Sequence, residues 1–521
     1  MALCTVKLTP IELPEEHWNA ITCLSSVSEQ LNAKAYIVGG FVRDLFLGIV
    51  SDDIDIAVSA DPFAYGIALA NALGGKFVPL HEEPKTARVV KRCCDRVLQV
   101  DMTAIRTTLE DDLLNRDFTV NSMAIPVETI RRVGKAIEAD VQFPKTSPCY
   151  YDLIRRIIRM HSGLEAKLIN DDPVRMLRAF RFAATLGFGI HDSVLNAIKA
   201  HSNLILRCSW ERIRDEFALT LQSQSGSFMI SLMNECNLLS SVLPEVESLK
   251  LVPAEGYHHL DGFGHSVEAL KFVELLVGGE DWIEDEWRDI GAALYDALKP
   301  YIERYSQPLV ERRTNLFALK MAVLLHDIGK PMTMRRDENG DLCFFKHDAI
   351  GAELAEQICA RFKLSKAETH LIVQAVRRHM QPIWLAKDKA PSERALRRFW
   401  MRGDERIGVT VILVSLADML ATRGAEMTPE QMIDHMKVLL ELIRVNERLK
   451  EMQAYPKLIS GHDVMRRYGI SQGPLVGEAL RIVKRAQIAG RVKTREDALH
   501  LLDEIMPQLL SQRKRSGSCP N

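Results

Sequence analysis

Asp53 and Asp55 stand two residues apart in the alternating stretch "DDIDIAV" (52–58). In a strand of period two both carboxylates face one side, and Ile54, Ile56 and Val58 face the other. Paired carboxylates are hard oxygen donors that suit Mg²⁺. Asp101, in the alternating stretch "VLQVDMTAI" (97–105), is placed to complete the set. Three carboxylates holding two metal ions fit an in-line phosphoryl transfer: one ion activates the attacking hydroxyl, the other steadies a triphosphate and its leaving oxygen. Gly39-Gly40 follow the apolar run "AYIV" (35–38) and precede the helical "FVRDLFLG". Missing side chains let backbone approach a phosphate, and Arg43 is available to pair with it. A lone D-x-D is most often a solvated strand face. The ordered series of strand, glycine pair, helix and D-x-D carries far more weight than either motif alone.

The elements around these residues read as a small α+β sheet domain. "FAYGIALANALGG" (63–75) has the pattern of a helix ended by glycine. From about residue 165 the period becomes helical. "DDPVRMLRAFRFAATLGF" (171–188) predicts a helix that opens on the capping carboxylates Asp171 and Asp172, with Pro173 in its first turn. Leu177, Phe180 and Ala184 form its apolar stripe, and Asp172, Arg175 and Arg178 repeat every third residue on another face. "SWERIRDEFALTL" (209–221) is a second amphipathic helix, on which Arg212 and Glu211 read equally well as a surface ion pair.

The chain has 521 residues, 47% apolar and 26% charged, which predicts three to four soluble globular domains. Lys and Arg number 67 against 69 Asp and Glu, so a wholly basic nucleic-acid coat protein is excluded and a local basic surface is not. Ten cysteines with no C-x-x-C pair, Cys93 and Cys94 being adjacent, suit reduced thiols in the cytoplasm. Residues 1–20 carry three glutamates and two prolines, unlike a secretory signal. No apolar run is long enough for a bilayer span, so no membrane partner is expected.

"VGGFVRDLFLG" followed by "SDDIDIAV" resembles the signature of the class II nucleotidyltransferases. These are the bacterial tRNA CCA-adding enzymes with their CC-adding, A-adding and poly(A) polymerase relatives. "NRDFTVNSMAI" (115–125) is similar to the family's R-R-D-F-T-x-N-A element, with Asn115 for the first arginine. The 171–188 segment is similar to its E-D-x-x-R helix, with Asp171 for the glutamate, and "SWERIRDEF" to the helix closing the neck. The likeness spans about residues 35–220. It implies that Asp53 and Asp55 hold Mg²⁺, with Asp101 as the third carboxylate. It implies that Gly39, Gly40 and Arg43 meet phosphate, and that Arg116 and Asp117 lie near the ribose. Asp172 and Arg175 would read the base edge, where carboxylate and guanidinium suit both cytosine and adenine. Arg178 would face phosphate. Arg181 reads more simply as a side chain snorkelling beside the core stripe. Two departures stand out. The family's D-P-F-G-G element has no counterpart between "NRDF" and "DDPVR", and "LHEEPKTARVVKRC" (80–93) falls where the family places a mobile specificity loop, with Thr86 and Arg88 either touching nucleotide or edging a strand.

The second half carries "HLDGFGHSVEALKF" (259–272), "FALKMAVLLHDIGKP" (317–331), "FFKHDAIGAELAEQI" (344–358) and "VSLADMLATRG" (414–424). "SKAETHLIVQAVRRHMQPIW" (365–384) opens on a Ser365–Glu368 capping box. This half resembles an HD-domain phosphohydrolase. The resemblance implies a four-ligand set of His265, His326, Asp327 and Asp418, with His347 and His379 serving a second metal ion. Mixed imidazole and carboxylate donors suit Mn²⁺, Ni²⁺ or Fe²⁺, and such an ion turns bound water into a nucleophile for a phosphate ester. Lys330 is placed to attract that phosphate. His258 and His259 read as exposed loop histidines.

The expected architecture is an α+β nucleotidyltransferase (polymerase beta-like) head with a small mixed sheet, followed by an all-α neck or body and an all-α HD domain. The expected segments are a lead-in (1–30), the head (31–135), a helical neck that binds nucleotide and RNA (136–250), the HD domain (251–430) and a helical RNA-binding region with a frayed tail (431–521). Basic segments at 392–403 and 481–495 are candidates for RNA phosphate contact. The expected activity is template-independent addition of CMP and AMP, from CTP and ATP, to an RNA 3′ end, foremost the CCA end of tRNA. The alternatives are a poly(A) polymerase or a partial (CC- or A-) adding enzyme, and, from another class, an HD metal phosphohydrolase with a nucleotide-sensing head.

Overall fold

The computed structural model describes residues 3–516, apart from 9–10, 94–95, 280–281, 311–312, 388–390, 402, 425, 455–456 and 489–490. Cys94, parts of both basic segments and the end of the tail therefore lie outside the described residues.

The head is built on one eight-stranded mixed sheet, larger than the small sheet expected. Its strands are β1 (Leu3–Lys7), β2 (Ala35–Val38), β3 (Asp53–Val58), β4 (Lys76–Glu82), β5 (Lys85–Cys93), β6 (Arg96–Ala104), β7 (Ala124–Pro126) and β8 (Asp140–Pro144). Their order is β1-β8-β7-β2-β3-β6-β5-β4. Every neighbouring pair is antiparallel except β3 and β6, which run parallel with Asp55 opposite Asp101. That register sets both aspartates on one face, while Ile54, Ile56, Val100 and Met102 point into the core on the other. Residues 3–7, expected as part of a lead-in, form an edge strand paired with 140–144. The helix α1 (Glu15–Gln30) buries Trp18, Ile21 and Leu24 in the same core. The segment expected as a mobile loop at 80–93 is a regular hairpin, with Thr86 and Arg88 both in β5.

Three helices connect strands of the sheet. Gly39 caps α2 (Gly40–Phe46) with φ +75°. The helix α3 (Pro62–Leu73) is capped by Asp61, which accepts from the Phe63 N–H, and ends at Gly74 in the left-handed conformation. The helix α4 (Leu109–Leu114) precedes the turn that carries Arg116 and Asp117.

The neck differs from its reading at one point. Asp171 ends one helix (Glu165–Asp171), and α5 (Arg175–Leu186) begins only after a break. Asp172 is extended at φ −147°, ψ 93°, and closes the preceding helix through its N–H to the Leu168 carbonyl rather than capping α5. Pro173 stops the preceding helix, because its ring disfavours helical backbone in the residue before it. The expected stripe holds at Leu177 and Phe180, both fully buried, against α6 (Trp210–Leu221).

The second half packs α7 (Gly262–Gly278), α8 (Asn315–Leu325), α9 (His347–Arg361), α10 (Lys366–Arg378) and α11 (Glu405–Ala421) around one core. Every residue of α8 from Leu316 to Leu325 is buried, as expected of a central helix. Its Lys320 is satisfied inside by Glu274 at 2.8 Å and by the Ser223 carbonyl. The capping box at Ser365 and Glu368 forms as read. Beyond α12 (Pro429–Ala454), helices within 461–516 close a small core of their own, including Val464, Ala479, Leu502 and Met506. Among the described residues no helix is long and apolar enough to cross a membrane.

Candidate active site and candidate metal centre

The strand pair β3–β6 carries the head's carboxylates, and Arg88, Arg116 and Arg178 act on them. Asp53 is exposed at the start of β3, and Asp55 sits deeper. Burial pushes the Asp55 carboxyl up to about 6 and the charges of Asp101 and Asp53 add to this, against the pull of Arg116 and Arg178. A carboxylate so crowded gains from a cation beside it, so the donor set fits a hard divalent ion. Asp101 is occupied otherwise. Arg88 Nε donates to Oδ1 at 2.6 Å and Nη2 to Oδ2 at 2.7 Å.

Gly39 leaves the space that Arg116 uses. A Cβ there would fall 2.7 Å from Arg116 Nη1 and 3.2 Å from Asp55 Oδ2. The glycine is thus required twice, by its positive φ and by this close approach. A Cβ on Gly40 would meet the Arg43 guanidinium at 3.5 Å. Arg43, read from the sequence as a phosphate partner, is turned inward. It donates to Asn121 Oδ1 at 2.7 Å and to Asp44 at 2.8 Å, lies over the Phe182 ring and is only 7% exposed.

Asp117 is likewise buried. It accepts from the Phe118 N–H and from Asn121 Nδ2, each at 2.9 Å, and pairs with Arg178 at 2.6 Å. Burial alone would raise its pKa, but Arg178 and these donors outweigh it and hold the carboxyl below its ordinary value. Asn121, which binds both Arg43 and Asp117, went unread in the sequence. Its place four residues after Asp117 was the available signal. Arg175 folds back onto the carbonyls of Leu168 at 3.1 Å and Asn115 at 2.8 Å. Asp172 accepts from Arg212 at 2.7 Å, so Arg212 pairs with the neck break rather than with Glu211. Arg181 does not merely snorkel: it pairs with Glu216 at 2.5 Å and lies over Phe182. One helix, α6, therefore holds two side chains of the 171–188 segment.

The second centre is assembled differently. Among the described residues, His265, His326, Asp327 and Asp418 bring ligand atoms within 4.8 Å of one another, as do Asp327, His347 and His379. Asp327 belongs to both groups. Its Oδ2 faces His326 at 3.2 Å and His265 at 3.8 Å, and its Oδ1 faces His347 at 3.5 Å and His379 at 3.8 Å. Backbone carbonyls set the tautomers. Val323 O, Phe344 O and Val376 O accept from Nδ1 of His326, His347 and His379 at 2.7, 2.8 and 2.6 Å. Each Nδ1 therefore carries the proton and each Nε2 is left to bind a cation. His347 Nε2 and His379 Nε2 then point at one another across 3.2 Å. Buried His326 Nε2 makes no well-aligned hydrogen bond and is directed at Asp327 Oδ2. Burial, with His347 and His326 adding to it, pushes His379 down to about 3 and keeps it neutral. These donors fit two metal ions bridged by one carboxylate.

Lys330 lies on Asp327 Oδ2 at 2.5 Å, inside the centre rather than at its entrance. His259 is exposed as expected, whereas His258 is not. Its ring packs edge-on against His265 at 4.7 Å and, with Asp327, lines a cavity of about 730 Å³. Phe344, Phe345 and Trp384 line the same cavity.

Comparison with known proteins agrees with both halves. Residues 35–134 match the Poly A polymerase head domain, 187–250 the probable RNA and SrmB-binding site of polymerase A, and 262–423 the HD domain. Fold and site thus define a nucleotidyltransferase head joined to an HD domain. The chain is 33% identical to an A-adding tRNA nucleotidyltransferase of Deinococcus radiodurans, over 89% of this chain and 94% of that protein. It is 32% identical to a CC-adding tRNA nucleotidyltransferase of Thermus thermophilus, over 89% and 92%. It belongs to the tRNA nucleotidyltransferase family. In fold it matches the Thermotoga maritima CCA-adding enzyme complexed with tRNA, at 20% identity and TM-score 0.56, over 96% of this chain and 97% of that one.

Proposed function

We propose that this nucleotidyltransferase adds CMP and AMP to the 3′ end of tRNA without a nucleic-acid template, and that its HD domain hydrolyses phosphate esters. The observation that supports the first activity is the Asp53–Asp55 pair on the polar face of β3, beside the Gly39 turn and Arg116. Asp53 and Asp55 would hold Mg²⁺, with Asp101 as a further donor. The ion supplies charge neutralisation at the α-phosphate and lowers the pKa of the RNA 3′-hydroxyl. Asp172 and Arg175, held by Arg212 and by the Asn115 carbonyl, present one acceptor and one donor group to a base edge. A carboxylate accepts an exocyclic amino group, which cytosine and adenine both carry. Arg178 stands beside Asp117 and lends positive charge for phosphate or sugar contact. The neck helices and the helical region after residue 431 are the surfaces we assign to RNA.

One observation favours a narrower reading, in which the chain adds only part of CCA. Two relatives that resemble it over nine-tenths of their length, at 32–33% identity, are an A-adding and a CC-adding enzyme. The deciding assay supplies tRNA lacking its last three nucleotides, or lacking only the final adenosine, with CTP alone, ATP alone or both together. Two cytidines followed by one adenosine establish full addition. Extension of only one substrate establishes the partial enzyme. Long A tails on any RNA would establish a poly(A) polymerase and overturn the tRNA reading.

At the second centre, His265, His326, Asp327 and Asp418 would hold one ion of the Mn²⁺, Ni²⁺ or Fe²⁺ class, and Asp327, His347 and His379 a second. The chemistry supplied is a hydroxide nucleophile at neutral pH. Lys330 contributes a fixed positive charge beside Asp327, where a phosphate oxygen gains most from it. Release of phosphate from a chromogenic phosphate ester, dependent on added Mn²⁺ or Ni²⁺ and lost in Asp327→Ala, tests this activity.

A further inference from the structure

We infer that Arg88 is a gate on the head's metal centre, holding Asp101 away from Asp53 and Asp55 until a divalent cation draws it off. This rests on the reading of Asp53 and Asp55 as metal ligands. The strand register places Asp101 directly opposite Asp55 on the neighbouring parallel strand, with both side chains on the sheet's polar face. Yet the three carboxylates do not gather. Among the described residues, groups of three or more ligand atoms within 4.8 Å occur only at the HD centre. Asp101 is held by Arg88, its partner in the antiparallel β5–β6 register, which takes both its oxygens in a two-pronged pair. A planar guanidinium fixes a carboxylate's orientation as well as its charge, which an ammonium does not.

The pair is built to open. Arg88 and Asp101 keep 34% and 32% of their side-chain surface in contact with solvent, so an incoming ion reaches them. The backbone on either side is anchored, since Ala87 and Val89 are fully buried in the core face. Release therefore needs only a swing of the arginine side chain. Asp53 and Asp55 also act on Arg88 through their charge, so it serves as a counter-ion to the whole acidic group. Once displaced, a guanidinium finds its natural replacement acceptor in the phosphate oxygens of the nucleotide. Metal and triphosphate then each favour the other's binding, because both are stronger in the state where the pair is open.

The test measures Mn²⁺ binding to the full chain by electron paramagnetic resonance, with Mn²⁺ as the probe. The share of sites missing from Asp53→Ala/Asp55→Ala defines the head's contribution and separates it from the HD centre. Arg88→Gln is expected to tighten the head's Mn²⁺ binding about fivefold, the worth of a half-exposed ion pair. Arg88→Lys, which keeps the charge and loses the fork, is expected to tighten it too, by a smaller factor. Asp101→Asn is expected to erase the gain, so that Asp101→Asn/Arg88→Gln binds like Asp101→Asn alone. Three results overturn the gate. One is unchanged Mn²⁺ affinity in Arg88→Gln, with only the KM for nucleotide raised, which makes Arg88 a triphosphate ligand and nothing more. Another is a gain that survives Asp101→Asn, which makes it a diffuse charge effect. If the Asp53→Ala/Asp55→Ala chain loses no Mn²⁺ at all, the metal reading of the head fails first and takes the gate with it.

Discussion

The two centres use the same kind of side chain in opposite ways. In the HD domain the donors are buried, their tautomers are fixed by three backbone carbonyls, and one carboxylate bridges two groups of ligands. In the head the carboxylates line an open strand face, do not converge, and are countered by Arg88 and Arg116. A centre that keeps its ions is best preformed, because the orientation of each ligand is settled before the ion arrives. A centre that must admit and release a nucleotide and an RNA end at every turn needs solvent access and cationic placeholders. Both have such a placeholder, Lys330 on Asp327 and Arg88 on Asp101. Only the second is solvent-accessible.

The comparison breaks most visibly if the two centres depend on each other. Asp53→Ala and Asp55→Ala are each expected to lower nucleotide addition by about 10³-fold, the several kcal/mol that a metal supplies to a phosphoryl transition state. Phosphate-ester hydrolysis should stay within about twofold, as expected for distant sites without shared partners. Asp327→Ala should give the reverse. Steady-state rates of both reactions in the three variants decide it, and parallel loss of both activities in any one of them sinks the separation.

Metal retention sharpens the contrast. After gel filtration in metal-free buffer, the HD centre is expected to keep transition metal and the head none. Asp327→Ala is expected to lose nearly all of it, and His379→Gln about half, because Asp327 serves both groups and His379 only one. Elemental analysis of the eluted protein reads this directly. Equal metal content in wild type and Asp327→Ala would falsify the preformed centre.

The HD half also carries an ion pair far more deeply buried than Arg88–Asp101. Arg313 pairs with fully buried Glu368 at 2.6 Å and reaches across to Asp215 of α6 at 3.1 Å. Arg313→Ala leaves that carboxylate buried without its cation, at a cost of about 3 kcal/mol. Arg88→Ala, which removes a half-exposed pair in the head, should cost no more than about 1 kcal/mol. Urea unfolding of the two variants compares them, and equal destabilisation removes this distinction.

How much of this was legible in the sequence follows the same division. Period-two alternation fixed which faces Asp53, Asp55 and Asp101 share, because a strand's side-chain directions need no tertiary knowledge. Helical spacing found Leu177 and Phe180, and the motif Ser365–Glu368 found its own cap. The six HD residues converge as the family likeness implied. What failed to show was side-chain pairing, over short separations as much as long ones. Nothing near Arg88 announces that its strand lies against Asp101, nor does "HH" at 258–259 reveal that one ring turns inward to His265. Asp172 reads as a cap because carboxylate-then-proline is a good helix start, yet α5 opens only after Val174, with no side-chain cap. Edge strand 3–7 was missed because its partner lies at 140–144, beyond any local pattern.

The smallest effect probes the head's spacing alone. Gly39 has φ +75° and ψ −137°, a conformation close to glycine's own territory, and its missing Cβ leaves room for Arg116 beside Asp55. Gly48 shares the positive φ, at +76°, but a Cβ there meets nothing within 4 Å. Gly39→Ala and Gly48→Ala should therefore both carry a backbone cost of about 1–2 kcal/mol, seen as a lower thermal midpoint. They should part company in activity. Only Gly39→Ala pushes Arg116 from Asp55, so only it should slow nucleotide addition, while hydrolysis at the HD centre stays unchanged in both. If Gly48→Ala slows addition as much as Gly39→Ala, backbone strain alone explains the loss, and the close fit between Gly39, Arg116 and Asp55 has no part in the head's chemistry.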